Sequence, residues 1–136
     1  MSDSRTHDEV AIQAVLADSY EAWAAGDADG MVANYTGDAT AIMTGSLRGS
    51  RDVIRESMAL AFEGPLKGST TYNKQLSLRF LGRDAAIAVS ESGILFAGET
   101  DVPDARKVNA TWVFEKRHGQ WLIAAYHNSP ALAPGH

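Results

Sequence analysis

ARKVNATWVFEKRHGQWLIAAYHNSP, residues 105–130, contains two long runs rich in β-branched and aromatic residues, joined at Arg117-His118-Gly119. A short glycine-bearing connection between two such runs is the sequence form of a β-hairpin. Side chains alternate along a strand, so Asn109, Thr111 and Val113 share one face, and Val108, Ala110, Trp112 and Phe114 share the other. We read the mixed face as the inner one, lining a site. The apolar face with Trp112 and Phe114 is then the outer one, which would leave a greasy patch in water unless a second copy covered it, so a homodimer is expected.

Working back from the hairpin, the period is already two from about Lys67 onward. A strand is predicted from Thr70 to Leu81, a turn at Gly82-Arg83-Asp84, and a strand from Ala85 to Gly98. Before Lys67 the pattern is helical. Thr6 followed by Glu9 has capping-box spacing and predicts a helix to about Ala25, with Ile12, Val15, Leu16, Ser19 and Trp23 on one stripe. Gly26-Asp27 stops that helix and caps a short second one, predicted to run to about Tyr35. Ala39–Met43 reads as a short strand and GSLRGS as a polar loop. Ser50 caps a third helix to about Phe62, with Val53, Ile54, Met58, Leu60, Ala61 and Phe62 on a broad apolar side. Helices first and strands afterwards predict an α+β domain over residues 1–136, three helices packed on a strongly bent and mainly antiparallel sheet, with loose tails at 1–5 and 131–136.

Composition narrows the chemistry. A chain of 136 residues can bury a core without staples, and it has no cysteine, which excludes disulfides, thiolate catalysis and cysteine-ligated metal. Seventeen acidic against twelve basic residues argue against nucleic acid and anionic membranes as partners and point to a small neutral or weakly polar ligand. No apolar run is long enough to span a bilayer, and the polar start MSDSRTHDEV has no secretory pattern, so a cytoplasmic location is expected. His7, His118, His127 and His136 lack ligand spacing, so no metal is expected. GxGxxG, Walker A and GxSxG motifs are absent, so no cofactor is expected either.

What remains is a set of side chains selected by strand parity. Ile87, Val89, Glu91 and Leu95 share a face, which places one carboxylate among aliphatics where desolvation would raise its pKa. Glu91 and His127 are therefore the candidates for proton transfer. Asn109 and Thr111 look like orienting groups. Ser19 either bonds back to its own helix or faces a pocket, and a strand bulge could turn either His127 or Asn128 inward. The turn positions of Asp84, Asp101 and Asp104 argue against a hydrolase acting on epoxides.

From AGDADGMVANYTGDAT through GQWLIAAYHNSP the chain resembles the nuclear transport factor 2-like or SnoaL-like superfamily, whose fold is a cone of helices on a curved sheet. GPLKGSTTYN, RFLG, SESGILFAGET and NATWVF resemble the SgcJ/EcaC-type proteins of enediyne antibiotic gene clusters. That resemblance implies a cofactor-independent protein acting on a hydrophobic polyene-like intermediate, by proton transfer or cyclisation if it is an enzyme, or a non-catalytic binding or assembly protein of the same pathway. Aligned on AGDADG and ATAIMTG, the ketosteroid isomerases' general-base aspartate falls on Met43, their oxyanion tyrosine on Ser19 and their protonated aspartate on Thr111. Enolate isomerisation by that route is thus excluded, while the three positions are expected to face the cavity. The binding set implied is Ser19, Trp23, Tyr35, Met43, Asn109, Thr111 and Asn128, with Trp23, Tyr35 and Met43 as apolar walls.

Overall fold

His118 and Gly119 both adopt left-handed backbone, at φ 53° and 79°, and they alone connect β5 (Val108–Arg117) to β6 (Gln120–Pro130). Two consecutive positive-φ residues match the right-handed twist of the flanking strands, so the hairpin closes with the tightest connection available to it. The computed structural model describes residues 2–132. It contains α1 (Ser2–Ala24), α2 (Ala28–Val32), β1 (Tyr35–Met43), β2 (Ser46–Arg48), α3 (Arg51–Glu63), β3 (Thr70–Phe80) and β4 (Ala85–Leu95), followed by the hairpin strands. The sheet has six strands in the order β2-β1-β6-β5-β4-β3, antiparallel throughout except where β1 runs parallel to β6. The α+β cone is as the sequence leads one to expect.

Several boundaries move, each for a tertiary reason. α1 begins at Ser2, so Thr6 and Glu9 lie inside it rather than at its start, and residues 2–5 are helical. Arg5 supports this first turn by lying 4.1 Å over the Phe80 ring and donating to the Gly82 carbonyl at 2.7 Å. Of the expected tail at 131–136, residues 133–136 lie outside the described residues, and Ala131 N donates to the Lys107 carbonyl at 2.9 Å. α2 stops at Val32, and Tyr35 opens β1 instead of closing the helix. The loop GSLRGS contains β2, which pairs with the end of β1. In α3 only Ile54, Met58 and Phe62, spaced four apart, are buried, whereas Val53 and Leu60 are exposed.

The core lies between the helices and one face of the sheet. Ile12, Val15 and Leu16 of α1, Met31 and Val32 of α2, and Ile54, Met58 and Phe62 of α3 pack against Tyr35, Ala86, Ala88, Ala110, Trp112, Phe114, Trp121 and Ile123. Trp112 and Phe114 therefore point inward, beneath the helices, and the outer face expected of them belongs to their neighbours. The β4–β5 register carries this across the sheet: Ala88 faces Trp112 and Ala86 faces Phe114 on the inside, while Val89 faces Thr111 and Glu91 faces Asn109 on the outside. Because the side-chain period is two, a reversed choice of face reverses every residue on the strand.

Candidate functional site: a closed-in apolar cavity

Between the helices and the inner face of the sheet lies a cavity of about 410 Å³, within the size range of pockets that take a small organic ligand. Helices α1, α2 and α3 roof it with Ser19, Tyr20, Trp23, Met31, Ile54 and Met58. Strands floor it with Tyr35, Ala41 and Met43 from β1, Arg48 from β2, Thr71 and Asn73 from β3, Ser92 and Ile94 from β4, Trp112 from β5, and Tyr126 and Asn128 from β6. The loop after β4 contributes Phe96 and Arg106. Among the described residues that line it there is no aspartate, glutamate or histidine.

Five of the expected site residues line this space: Ser19, Trp23, Tyr35, Met43 and Asn128. Four do not, and each is a correction. Asn109 and Thr111 stand on the far side of β5, opposite Glu91 and Val89, because Ala110 and Trp112 take the inner positions. Glu91 lies on the same outer face, where it accepts a hydrogen bond from Tyr72 Oη at 3.0 Å and pairs with Lys107 Nζ at 3.8 Å. His127 is exposed and sits opposite Thr111. The reason lies three residues earlier in the same strand. Val113 pairs with Ala125 and Phe114 with Ile123, so Ala124 is an extra residue on β6. Without that bulge, the inner row Trp121, Ile123 would continue to Ala125 and His127; with it, Tyr126 and Asn128 turn inward. Of the three ketosteroid isomerase positions, Ser19 and Met43 face the cavity and Thr111 does not.

The sequence reading missed Tyr20, Arg48, Asn73, Ser92, Arg106 and Tyr126. Arg48 was hidden by taking its strand for a loop. Ser92 carries a visible signal, the row Ala86, Ala88, Ser90, Ser92: a face of small side chains is what a strand needs when it must leave room for something else.

The polar groups of the cavity are hydrogen-bonding groups rather than bases. Burial pushes the Tyr20 phenol up to about 12, and it raises Tyr35 and Tyr126 as well, so all three stay protonated at neutral pH. Asn128 Nδ2 donates to Tyr126 Oη at 2.7 Å. The Tyr126 ring lies 4.4 Å from the Trp112 ring at a tilt of 54°, and Trp112 also makes an edge-type contact with Tyr20 at 6.2 Å. Trp23 Nε1 donates to Ser69 Oγ at 2.9 Å, which fixes the indole as a wall. Asn73 Nδ2 donates to Thr71 Oγ1 at 2.8 Å. Arg106 pairs with Glu99 at 2.6 Å and lies 4.8 Å over Phe96. Among the described residues no group of histidine, aspartate and glutamate is placed to hold a metal ion, and no helix is long and apolar enough to cross a membrane.

Helices packed on a bent sheet in this arrangement also occur in known proteins. The sequence profile of the SnoaL-like domain matches residues 12–133. The chain belongs to the SnoaL-like domain family. Among solved structures, a domain of unknown function with a cystatin-like fold from Nostoc punctiforme superposes with a TM-score of 0.86 at 25% identity, over 95% of this chain and 80% of that one. An NTF2-like protein from Novosphingobium aromaticivorans gives 0.80 at 17% identity, over 96% and 85% of the two chains. A ketosteroid isomerase-like protein from Erwinia carotovora atroseptica gives 0.71 at 18% identity, over 91% and 96%. No curated protein matches the chain. These likenesses agree on the SnoaL-like cone; the chemistry has to come from the side chains of this one.

Proposed function

We propose that this SnoaL-like protein binds a hydrophobic, polyene-like intermediate of enediyne or polyketide antibiotic biosynthesis, and that it shapes this ligand rather than moving its protons. The carrying observation is the cavity itself, about 410 Å³ walled by tryptophan, tyrosine and methionine, with no carboxylate or imidazole among the described residues lining it. A flat conjugated chain suits walls of this kind, since aromatic faces and polarizable thioethers pack well against π systems. In this reading Trp23, Tyr35 and Met43 are walls, and Ser19 and Asn128 orient polar atoms of the ligand. The biosynthetic assignment rests on the SgcJ/EcaC-like segments, of which SESGILFAGET supplies Ser92, Gly93, Ile94 and Phe96 to the cavity. Proton transfer by Glu91 and His127 has no geometric support, because both lie outside the chamber.

The same proposal includes a homodimer through the sheet face away from the helices. The residues offered there are Ile87, Val89, Val113 and Ile42, not Trp112 and Phe114. Sedimentation of Val113→Glu against the parent chain tests it: a dimer that dissociates on substitution is expected, and a parent that is monomeric at micromolar concentration removes this part.

The test of binding is a fluorescence titration with diphenylhexatriene, a neutral conjugated polyene. Saturable binding at one site per chain is expected, weakened about tenfold or more by Met43→Trp, which fills the chamber. A correctly folded parent protein that gives no saturable signal overturns the reading.

A further inference from the structure

Arg48 and Ala41 face each other across β2 and β1, Ala41 faces Tyr126 across β1 and β6, and Tyr126 faces Trp112 across β6 and β5. These four side chains stand in one cross-strand row, and all four line the cavity. Ala41 is the short member of the row, between Arg48 and the two aromatic rings. Arg48 is also the guanidinium here that the protein does not neutralise. Arg106 has Glu99 at 2.6 Å, whereas the hydrogen bond Arg48 makes among the described residues is from Nη1 to the Met58 thioether sulfur at 3.2 Å. A thioether is a weak acceptor, and it offers no charge to a partly desolvated cation. Burial lowers the Arg48 pKa, and the opposing influence comes from Tyr35, with no carboxylate involved.

The chain as a whole is acidic, at −5, yet the formal charges lining its cavity are both positive.

We propose that the cavity selects an anionic form of its ligand, a conjugated carboxylic acid whose carboxylate is held by Arg48 while its apolar chain lies against Trp112 and Tyr126. The planar fork of the guanidinium matches a carboxylate in two parallel hydrogen bonds, and the surrounding apolar walls exclude the water that would weaken them. This rests on the binding reading above and replaces the neutral ligand expected from composition with a charged one.

The experiment compares cis-parinaric acid, a fluorescent polyene carboxylic acid, with its methyl ester, at neutral pH and low salt, on the parent protein, Arg48→Met and Arg48→Lys. The acid should bind the parent about tenfold or more tightly than the ester, as expected for one charge-assisted, partly desolvated contact. Arg48→Met should bring the acid down to the ester's affinity in the same variant. Arg48→Lys should keep part of the preference. Equal binding of acid and ester by the parent protein, with diphenylhexatriene still bound, overturns the anion anchor and leaves the apolar site standing. A preference for the acid that survives in Arg48→Met assigns the charge to another group and also overturns it. Failure of all three probes removes the binding reading itself. The parent comparison needs no variant, so misfolding of Arg48→Met leaves the question decidable.

Discussion

The two faces of the β4–β5 pair differ in side-chain size more than in polarity. The inner face carries Ala86, Ala88, Ser90 and Ser92 on one strand and Ala110, Trp112 and Phe114 on the other. The outer face carries Ile87, Val89 and Glu91 against Val113, Thr111 and Asn109. Judged by hydropathy, the outer row of β4 is the greasier of the two, and on that ground it would be sent to the interior. It lies outside because helices approach closely only over small residues, and because a strand that floors a cavity must stop short of filling it. Large rings are then brought in singly, Trp112 for the chamber and Phe114 for the solid core beneath it. Reading a two-sided strand therefore calls for volume as well as polarity.

If the inner face carries the stability, its largest filled position should be the most sensitive. Phe114 is completely buried, and Phe114→Ala should cost about 3–5 kcal/mol in urea denaturation. Thr111→Ala, three residues away on the other face, should stay within about 0.5 kcal/mol. Comparable losses at the two sites would erase the distinction between the faces.

Gly93 sharpens the same contrast at one point of β4. A β-carbon built there would come within 2.6 Å of Val102 Cγ1, so the loop after β4 lies directly against bare backbone. Gly93→Ala should destabilise by about 1–3 kcal/mol through overpacking. Shortening the intruding neighbour in Gly93→Ala/Val102→Ala should return part of that loss, since residues in contact do not act additively. Simple addition of the two single effects would contradict the close approach.

A third contrast concerns charge. Asp8 reaches from α1 to accept from Trp121 Nε1 at 3.0 Å and from Lys116 Nζ at 3.3 Å. The indole bond first, and then Lys116, holds its carboxyl below the ordinary value of 3.8, against the opposing effect of burial. A carboxyl whose folded pKa is depressed stabilises fully above its unfolded pKa and loses that contribution as pH falls through the folded one. Asp8→Asn should therefore cost about 1–2 kcal/mol at pH 7 and should flatten the fall in stability that the parent shows below about pH 4. Parallel pH profiles for the two proteins would show that other carboxylates govern acid unfolding.

Much of this architecture can be read from residues 105–130 and from the change of period near Lys67. The hairpin, its two-residue turn, the helical first half and the cone follow from local patterns that no tertiary contact overrides. The site is harder because it depends on parity, and parity depends on single residues. Ala124, one extra residue in β6, exchanges His127 for Asn128 at the cavity wall, and nothing in WLIAAYHN marks which alanine is the bulge. Arg48 lies on a three-residue strand that forms only because β1 is there to pair with it. Ser19, by contrast, is visible in advance, since a helical stripe of Ile12, Val15, Leu16 and Trp23 fixes its direction without reference to the sheet.

The smallest expected effect is the one that separates the faces most directly. Glu91 is already engaged on the outside by Tyr72 and Lys107, and His127 stands exposed beside Thr111. If only the inner face meets ligand, the double variant Glu91→Gln/His127→Ala should bind diphenylhexatriene within about twofold of the parent, since the sites share no partners. The two outer residues are also the ones that hydropathy and chemistry single out first, so they make the strictest control available. A tenfold loss in that variant, with the fold intact by circular dichroism, would mean that the sheet passes the state of one face to the other or that the ligand lies across its edge. Either result would move the site out of the chamber bounded by Trp23, Met43 and Trp112. An unchanged affinity would leave the polar groups of the chamber, Ser19, Arg48, Tyr126 and Asn128 among them, within reach, and it would confine the search for chemistry to what hydroxyls, neutral phenols, amides and guanidinium groups can do: orient a ligand and hold its charge.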